Sequence, residues 1–140
     1  MLNNYSNSGF TLNINGRNIT DWGETETPFT HDPIDVKTVL RRGQGGNAIR
    51  LDRKNPGRTV TLNIQPGSPD SAFLQDLMIA NANIELGYIQ IGTLEAAVGS
   101  EGAFVNDGSV GRAGTTITDD QFMIEFNVWE GTKGGSNNPI

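Results

Sequence analysis

The chain has 140 residues, a net charge of −6 and no cysteine. This length fits one domain with its own core, and the missing thiols exclude a disulfide framework and a thiolate metal site. The acidic balance argues against general nucleic-acid binding, because the phosphate backbone would repel most of the surface. No apolar run approaches the length of a membrane span and the N-terminus lacks signal-peptide features, so no membrane anchor is expected.

The N-terminal part of the chain has the pattern of a β-hairpin followed by an irregular edge. Phe10, Leu12 and Ile14 alternate with polar residues, which predicts a half-buried strand. The Asn-Gly pair at 15–16 then predicts a tight hairpin turn. Residues 24–35 contain four acids and two prolines, a composition that favours an irregular edge segment.

Two long strands are predicted at 35–40 and 58–65, on either side of an arm. Val36, Val39 and Leu40 are the candidate core residues of the first strand, and alternate residues of the second strand face the core. A glycine-rich turn and a further alternating stretch lie between the two strands. The arm is therefore itself a candidate hairpin.

The sequence then changes to a helical period over residues 69–81, with Ser68 as the N-cap and Phe73, Leu74, Leu77 and Met78 as one apolar stripe. The remaining segments are a strand or strand pair at 84–94, a glycine-rich loop at 99–120 with room for one short strand, a final strand at 121–130 and a flexible tail at 131–140. The fold class predicted for residues 1–140 is one mainly β domain, an antiparallel β-sandwich or barrel with a single flanking α-helix.

The basic residues are concentrated in one segment. Residues 41–58 hold six of the ten lysines and arginines and one acid, so this segment carries +5 and the rest of the chain −11. A nucleic-acid patch, a phosphate-binding glycine loop, a docking arm and a solvated hairpin without a partner are the alternatives. Residues 41–58 contain no aromatic residue for base stacking. The G-x-G-x-x-A match at 43–48 is followed by a period-two pattern cut by Pro56, so no dinucleotide-binding helix can begin there.

The charge separation favours docking of the arm on another copy of the chain, in a head-to-tail arrangement that closes into rings or continues as a tube. Residues 41–58 are therefore predicted to form a projecting basic hairpin arm. The candidate oligomer-interface residues are the basic side chains and the turn glycines of this arm: Arg41, Arg42, Gly43, Gly45, Gly46, Arg50, Arg53, Lys54 and Arg58.

No catalytic constellation is recognisable. His31 is the only histidine, and its spacing to Asp32 and Asp35 fits no known metal cluster, so a surface or packing role is expected. Asp119 and Asp120 are adjacent and would face opposite ways in a strand. We expect a protein that is not an enzyme, with no cofactor and no metal.

The order and spacing of these elements resemble a known family. The stretches "GFTLNINGRNITDWG" and "GGNAIRLDRKNPGRTVTLNIQPGSPDSAFLQDL", followed by an inward-alternating last strand, are similar to the tail-tube proteins of contractile-tailed phages. The resemblance covers residues 9–94 and, more weakly, 121–130, whereas residues 99–120 depart from it.

The resemblance implies a structural subunit that assembles into hexameric rings, and these rings stack into a hollow tube with the arm reaching the adjacent ring. DNA would pass through a negative lumen without specific binding. Other copies of the chain, sheath, baseplate and tail-terminator proteins would be its partners, in a virion tail assembled in the host cytoplasm. The alternatives are the tube of a tailocin or other contractile injection machine and a β-sandwich ligand-binding module. The module would need Trp22 and Trp129 as an exposed platform, and both are expected to be core or interface residues.

Overall fold

The computed structural model describes residues 9–134, which form nine strands and one helix. In chain order these elements are β1 (Phe10–Ile14), β2 (Arg17–Ile19), β3 (Phe29–Pro33), β4 (Thr38–Arg42), β5 (Ala48–Asp52), β6 (Arg58–Ile64), α1 (Pro69–Ile79), β7 (Ile84–Gln90), β8 (Glu95–Asp107) and β9 (Asp120–Thr132).

Seven strands form one antiparallel sheet, and the other two form a separate hairpin. The order in the large sheet is β2-β1-β7-β8-β9-β6-β3, and this sheet curls into a half-barrel. Among the described residues, strands β4 and β5 pair only with each other. The predicted mainly β fold with one helix is confirmed.

The core lies on the inward face of the large sheet. Alternation places every second residue of a strand on this face, so the patterns of β1, β6 and β9 in the sequence correspond to buried positions. The buried hydrophobic residues are Leu12, Ile14, Ile19, Val60, Leu62, Ile64, Leu74, Ile84, Leu86, Tyr88, Ala97, Phe122, Ile124 and Phe126.

The predicted hairpin turn and helix are both present. Asn15 and Gly16 have φ angles of 49° and 89°, as a tight turn with two left-handed residues requires. Ser68 caps the helix by accepting a hydrogen bond from the Ser71 N–H at 3.2 Å. The helix ends at Ile79, two residues earlier than predicted. Its apolar stripe packs against the core, with Leu74 fully buried.

The prediction of a loop over residues 99–120 is wrong for its first part. Strand β8 continues through Asp107, and its glycines lie beneath aromatic rings. A Cβ atom on Gly102 would lie 2.5 Å from Cε1 of Phe126, and one on Gly99 would lie 2.8 Å from the Trp129 ring. These glycines are therefore required by close packing inside a strand, and only residues 108–119 connect β8 to β9.

Two further expectations differ from the structure at the arm and at the C-terminus. Val36, Val39 and Leu40 were predicted core residues, but they are 65%, 50% and 62% exposed. Val39 and Leu40 belong to the separate hairpin, and Val36 lies just before it. Strand β9 includes two residues of the predicted tail, and 135–140 lie outside the described residues.

Candidate assembly surface

The basic arm is a regular two-stranded hairpin. Strands β4 and β5 pair from Thr38 opposite Asp52 to Arg42 opposite Ala48. The turn is closed by a hydrogen bond from the Gly43 N–H to the Asn47 carbonyl at 2.8 Å. The paired residues therefore run from Thr38 to Asp52 and include residues 41–52 of the predicted arm.

Backbone hydrogen bonds fix the base of the arm to the end of the large sheet. The Ile34 N–H donates to the Gly57 carbonyl at 3.3 Å, and the Asp35 N–H donates to the Pro56 carbonyl at 3.2 Å. Gly57 adopts a φ of 72°, and a Cβ there would lie 2.8 Å from the Phe126 carbonyl oxygen. The two chain segments are therefore paired and closely packed where the arm leaves the sheet.

Ion pairs on the arm are confined to its base. Arg53 lies 3.7 Å from a carboxylate oxygen of Asp35, and Lys37 lies 3.3 Å from one of Asp52. The pKa of Asp52 is lowered by the hydrogen bond from the Thr38 hydroxyl and by the Lys37 ammonium. Asp35 and Asp52, the acids of the arm and its base, are therefore already paired with Arg53 and Lys37.

The predicted interface residues occupy four positions. Arg41, Arg42 and Arg50 lie on the distal half of the hairpin and form no ion pair with any of residues 9–134. The turn glycines lie beyond them at the tip, while Arg53 and Lys54 follow β5 near the base. Arg58 is separate from the hairpin, because it begins β6 in the large sheet.

The arm also exposes aliphatic side chains, among them Val39, which was predicted to be a core residue. Val39 pairs with Leu51 on one face of the hairpin, and Ile49 is the next residue of β5 on that face. These three side chains are 50%, 55% and 60% exposed. The period-two pattern had indicated a strand correctly, but it contains no information on which surface covers the strand.

The structure places His31 in an aromatic cluster. Its Nε2 lies 3.0 Å from the Tyr88 hydroxyl oxygen, and its ring centroid lies 5.0 Å from that of Trp129. Burial lowers the pKa of His31, and the nearby Arg58 guanidinium lowers it further. The side chain is half-buried and has the packing role expected from the sequence.

The adjacent carboxylates of Asp119 and Asp120, where the 108–119 loop meets β9, connect separate parts of the chain. Asp119 accepts hydrogen bonds from the backbone N–H groups of Glu24 and Thr25, at 3.0 and 3.4 Å. Asp120 accepts one from the Ser71 hydroxyl and pairs with Arg112 at 2.7 Å. Both roles are structural.

Across residues 9–134, no three histidine, aspartate or glutamate side chains come together as metal ligands would. Over the same range, no helix is long and apolar enough to cross a membrane.

The two tryptophans pack against the core and do not form a flat platform. Trp22 meets Phe29 edge-on with ring centroids 6.4 Å apart, and Trp129 lies 5.6 Å from Phe126. Both indoles are partly buried, as expected from the sequence.

Comparisons with known proteins relate this fold to contractile particles. The sequence matches no protein-family model and no curated protein. The structure is similar to a chain of the tube-terminating cap of the anti-feeding prophage (TM-score 0.57, 14% identity, covering 94% of this chain and 93% of that chain). It is also similar to a chain of the sheath–tube complex of the extracellular contractile injection system PVC in its extended state (TM-score 0.56, 15% identity, covering 92% of this chain and 93% of that chain). A chain of the PVC sheath/tube terminator in the extended state is similar as well (TM-score 0.55, 14% identity, covering 91% of this chain and 95% of that chain). At these identities the likeness establishes a shared fold over nearly the whole chain.

Proposed function

We propose that this protein is the structural subunit of a phage tail tube and has no catalytic role. Copies of it form hexameric rings that stack around a lumen, and DNA passes through that lumen without specific binding. The observation that carries the proposal is the arm, which projects unpaired arginines and exposed aliphatic side chains away from an otherwise acidic molecule. Such a surface is stabilised when another copy covers it.

The outward face of the large sheet supports a lumen-lining role. The positions that alternate with the core residues on β1, β3, β6, β7 and β9 are rich in threonine, asparagine and glutamine. Their charged side chains are Asp32, Glu85 and Glu125, with no lysine or arginine among them. A polar face with only negative charges would repel phosphate groups, so a nucleic acid would slide along it.

The similarity to cap, tube and terminator structures favours the same class of particle. The proposed partners are therefore other copies of the chain together with sheath, baseplate and tail-terminator proteins, and the proposed location is the virion tail, assembled in the host cytoplasm. The second candidate is the tube of a tailocin or other contractile injection machine. The likeness to chains of the PVC particle specifically favours this candidate.

Negative-stain electron microscopy of the purified protein, with light scattering on the same sample, tests the proposal. Rings or hollow tubes are expected for the natural sequence. The variant carrying Arg41→Glu and Arg50→Glu should remain folded, because both side chains are exposed and form no ion pair with the described residues. It should be monomeric, because the charge of the arm is reversed.

Lys133→Glu is the matched control, because it reverses an exposed cation outside the arm. It should assemble like the natural protein. A natural protein that stays monomeric at high concentration, both alone and with tail-initiation components, would overturn the proposal.

A further inference from the structure

A groove with an aromatic floor lies at one end of the large sheet. It measures about 370 Å³ and is lined by Phe10, Trp22 and Phe29 and by Gly23, Thr25, Glu26, Thr27 and Pro28. The Phe10 ring lies 6.0 Å from the Trp22 ring and 5.4 Å from the Phe29 ring, centroid to centroid. All three are only partly buried, so the floor is open to a ligand.

The rim of this groove is acidic and held in place. Residues 18–36 contain five acids and no lysine or arginine, and Glu24 and Glu26 are exposed on the loop that forms the rim. The Asp119 carboxylate accepts the Glu24 N–H, and the Gly23 N–H donates to the Asn63 carbonyl at 2.9 Å. The acids are therefore presented by an anchored loop.

The groove and the arm lie at opposite ends of the same strand. Residue Ile64, at the end of β6, forms a bridge with Trp22 of the groove. Arg58, at the start of β6, pairs with Pro33, directly before the base of the arm. Six residue steps at about 3.3 Å separate the two sites by about 20 Å.

The arm has the chemistry that this groove would recognise. One face of its distal half carries the free cation Arg41 with the aliphatic side chains of Val39, Ile49 and Leu51, while Arg50 lies on the opposite face beside Leu40. Aliphatic groups pack well on aromatic rings, a guanidinium group stacks on a ring face, and a rim glutamate can pair with it. We propose that the arm of one copy inserts into the groove of the next copy, with its aliphatic face on the rings and Arg41 against Glu26.

This inference rests on the proposed function, since it names the acceptor that the arm contacts during assembly. Because donor and acceptor lie at opposite ends of one molecule, the contact is heterologous and every copy that adds leaves one arm or one groove free. The same joint can therefore repeat along the axis of a tube.

Charge exchange between the two surfaces tests the joint. The groove variant Glu24→Lys with Glu26→Lys should raise the protein concentration needed for assembly about tenfold or more, since it places like charges opposite one another. The arm variant Arg41→Glu with Arg50→Glu should do the same. Mixing the groove variant with the arm variant, or combining all four substitutions in one chain, should restore assembly.

Asp76→Lys is the control, because it reverses an exposed acid on α1, away from the groove. It should assemble normally, and thermal melting should show that all variants are folded. If the arm variant fails to assemble while the groove variant assembles normally, the acceptor lies elsewhere and the inference is wrong, although the tube proposal stands. If the arm variant and the groove variant both fail to assemble, and neither their mixture nor the chain with all four substitutions assembles, direct pairing of these residues is likewise rejected. Failure of the natural protein to form rings or tubes would instead overturn the proposed function itself.

A variant lacking residues 2–8 tests whether the N-terminal segment competes with the arm for the groove, because these residues come just before the groove residue Phe10 in sequence. Unchanged assembly by this variant is expected. If this variant assembles at a lower protein concentration than the natural protein, the N-terminal segment competes with the arm for the groove. The proposal that the groove is open to the arm would then be wrong.

Discussion

The buried carboxylate of Asp70, in the first turn of α1, connects the helix to β2 and the residues that follow it. It accepts hydrogen bonds from the N–H groups of Thr20 and Asp21 at 2.7 and 2.9 Å and from the Arg17 guanidinium at 2.7 Å, and it is 1% exposed. Burial alone would raise the pKa of Asp70, but these donors outweigh it and hold the pKa below its ordinary value. Its contribution to stability is therefore present at neutral pH and is lost as the pH falls through the folded-state pKa.

Replacing this carboxylate tests that reasoning. Asp70→Asn removes the charge from three charge-assisted hydrogen bonds and should lower the free energy of unfolding by about 2 kcal/mol in a urea titration. Asp76→Asn, an exposed position on the same helix, should change it by less than about 0.5 kcal/mol. Equal effects of the two substitutions would show that Asp70 does not connect the helix to the β2 end.

His31 makes stability depend on pH in a higher pH range than Asp70 does. Its ring is surrounded by Tyr88 and by charges of three elements, Asp32 on its own strand, Arg58 on β6 and Lys133 after β9. Its pKa is lowered, chiefly by burial, so the unfolded chain binds its proton more readily than the folded chain. The contribution of neutral His31 to the free energy of unfolding is consequently fully present above the ordinary imidazole pKa. It falls as the pH drops from that value to the folded-state pKa.

His31→Phe keeps a ring in the aromatic cluster and removes the titration. We expect the melting temperature of the natural protein to fall more than that of this variant between about pH 8 and about pH 6. Identical pH profiles for the two proteins would contradict a titrating role for His31.

Among the secondary-structure elements, β8 shows how packing overrides composition. Gly102→Ala should destabilise the protein by about 1–3 kcal/mol in the same urea assay, because the added methyl group meets the Phe126 ring and the Ile84 carbonyl oxygen. Gly45→Ala is the matched control, since nothing lies within 4 Å of a Cβ at this arm position. A Gly102→Ala variant as stable as the control would mean that Phe126 can move aside.

The same elements show which parts of the fold the sequence could predict. Local alternation and capping identified β1, β6, β9 and α1, because each of them buries one face that its own residues specify. The strand character of residues 99–107 could not be read in this way. Its glycines indicate a turn in isolation, and only the Phe126 and Trp129 rings of the neighbouring strand explain them.

The candidate surface was predicted in part. The charge of the arm was visible in the sequence, and its hairpin form followed from the alternating pattern and the glycine turn. The aromatic groove was not predicted, because Phe10, Trp22 and Phe29 come from separate segments that only the folded sheet brings together. Long-range placement of this kind has no local signature.

The whole molecule separates its charge, with +5 on residues 41–58 and −11 on the remainder. If this separation drives assembly, raising the salt concentration from about 0.1 M to about 1 M should weaken it, since the Debye length falls from about 10 Å to about 3 Å. Sedimentation at several salt concentrations measures the fraction assembled. Assembly that strengthens with salt would show that the aliphatic residues of the arm dominate over its arginines.

The placement of arm and groove at opposite ends of β6 gives the molecule a direction. A growing tube would then present only arms at one end and only grooves at the other, so the two ends would elongate at different rates. A copy with an intact arm and a reversed groove could join one end and block every later addition there. A small fraction of such copies would therefore set the mean tube length by their ratio to normal subunits, in the way that a chain stopper sets the length of a synthetic polymer.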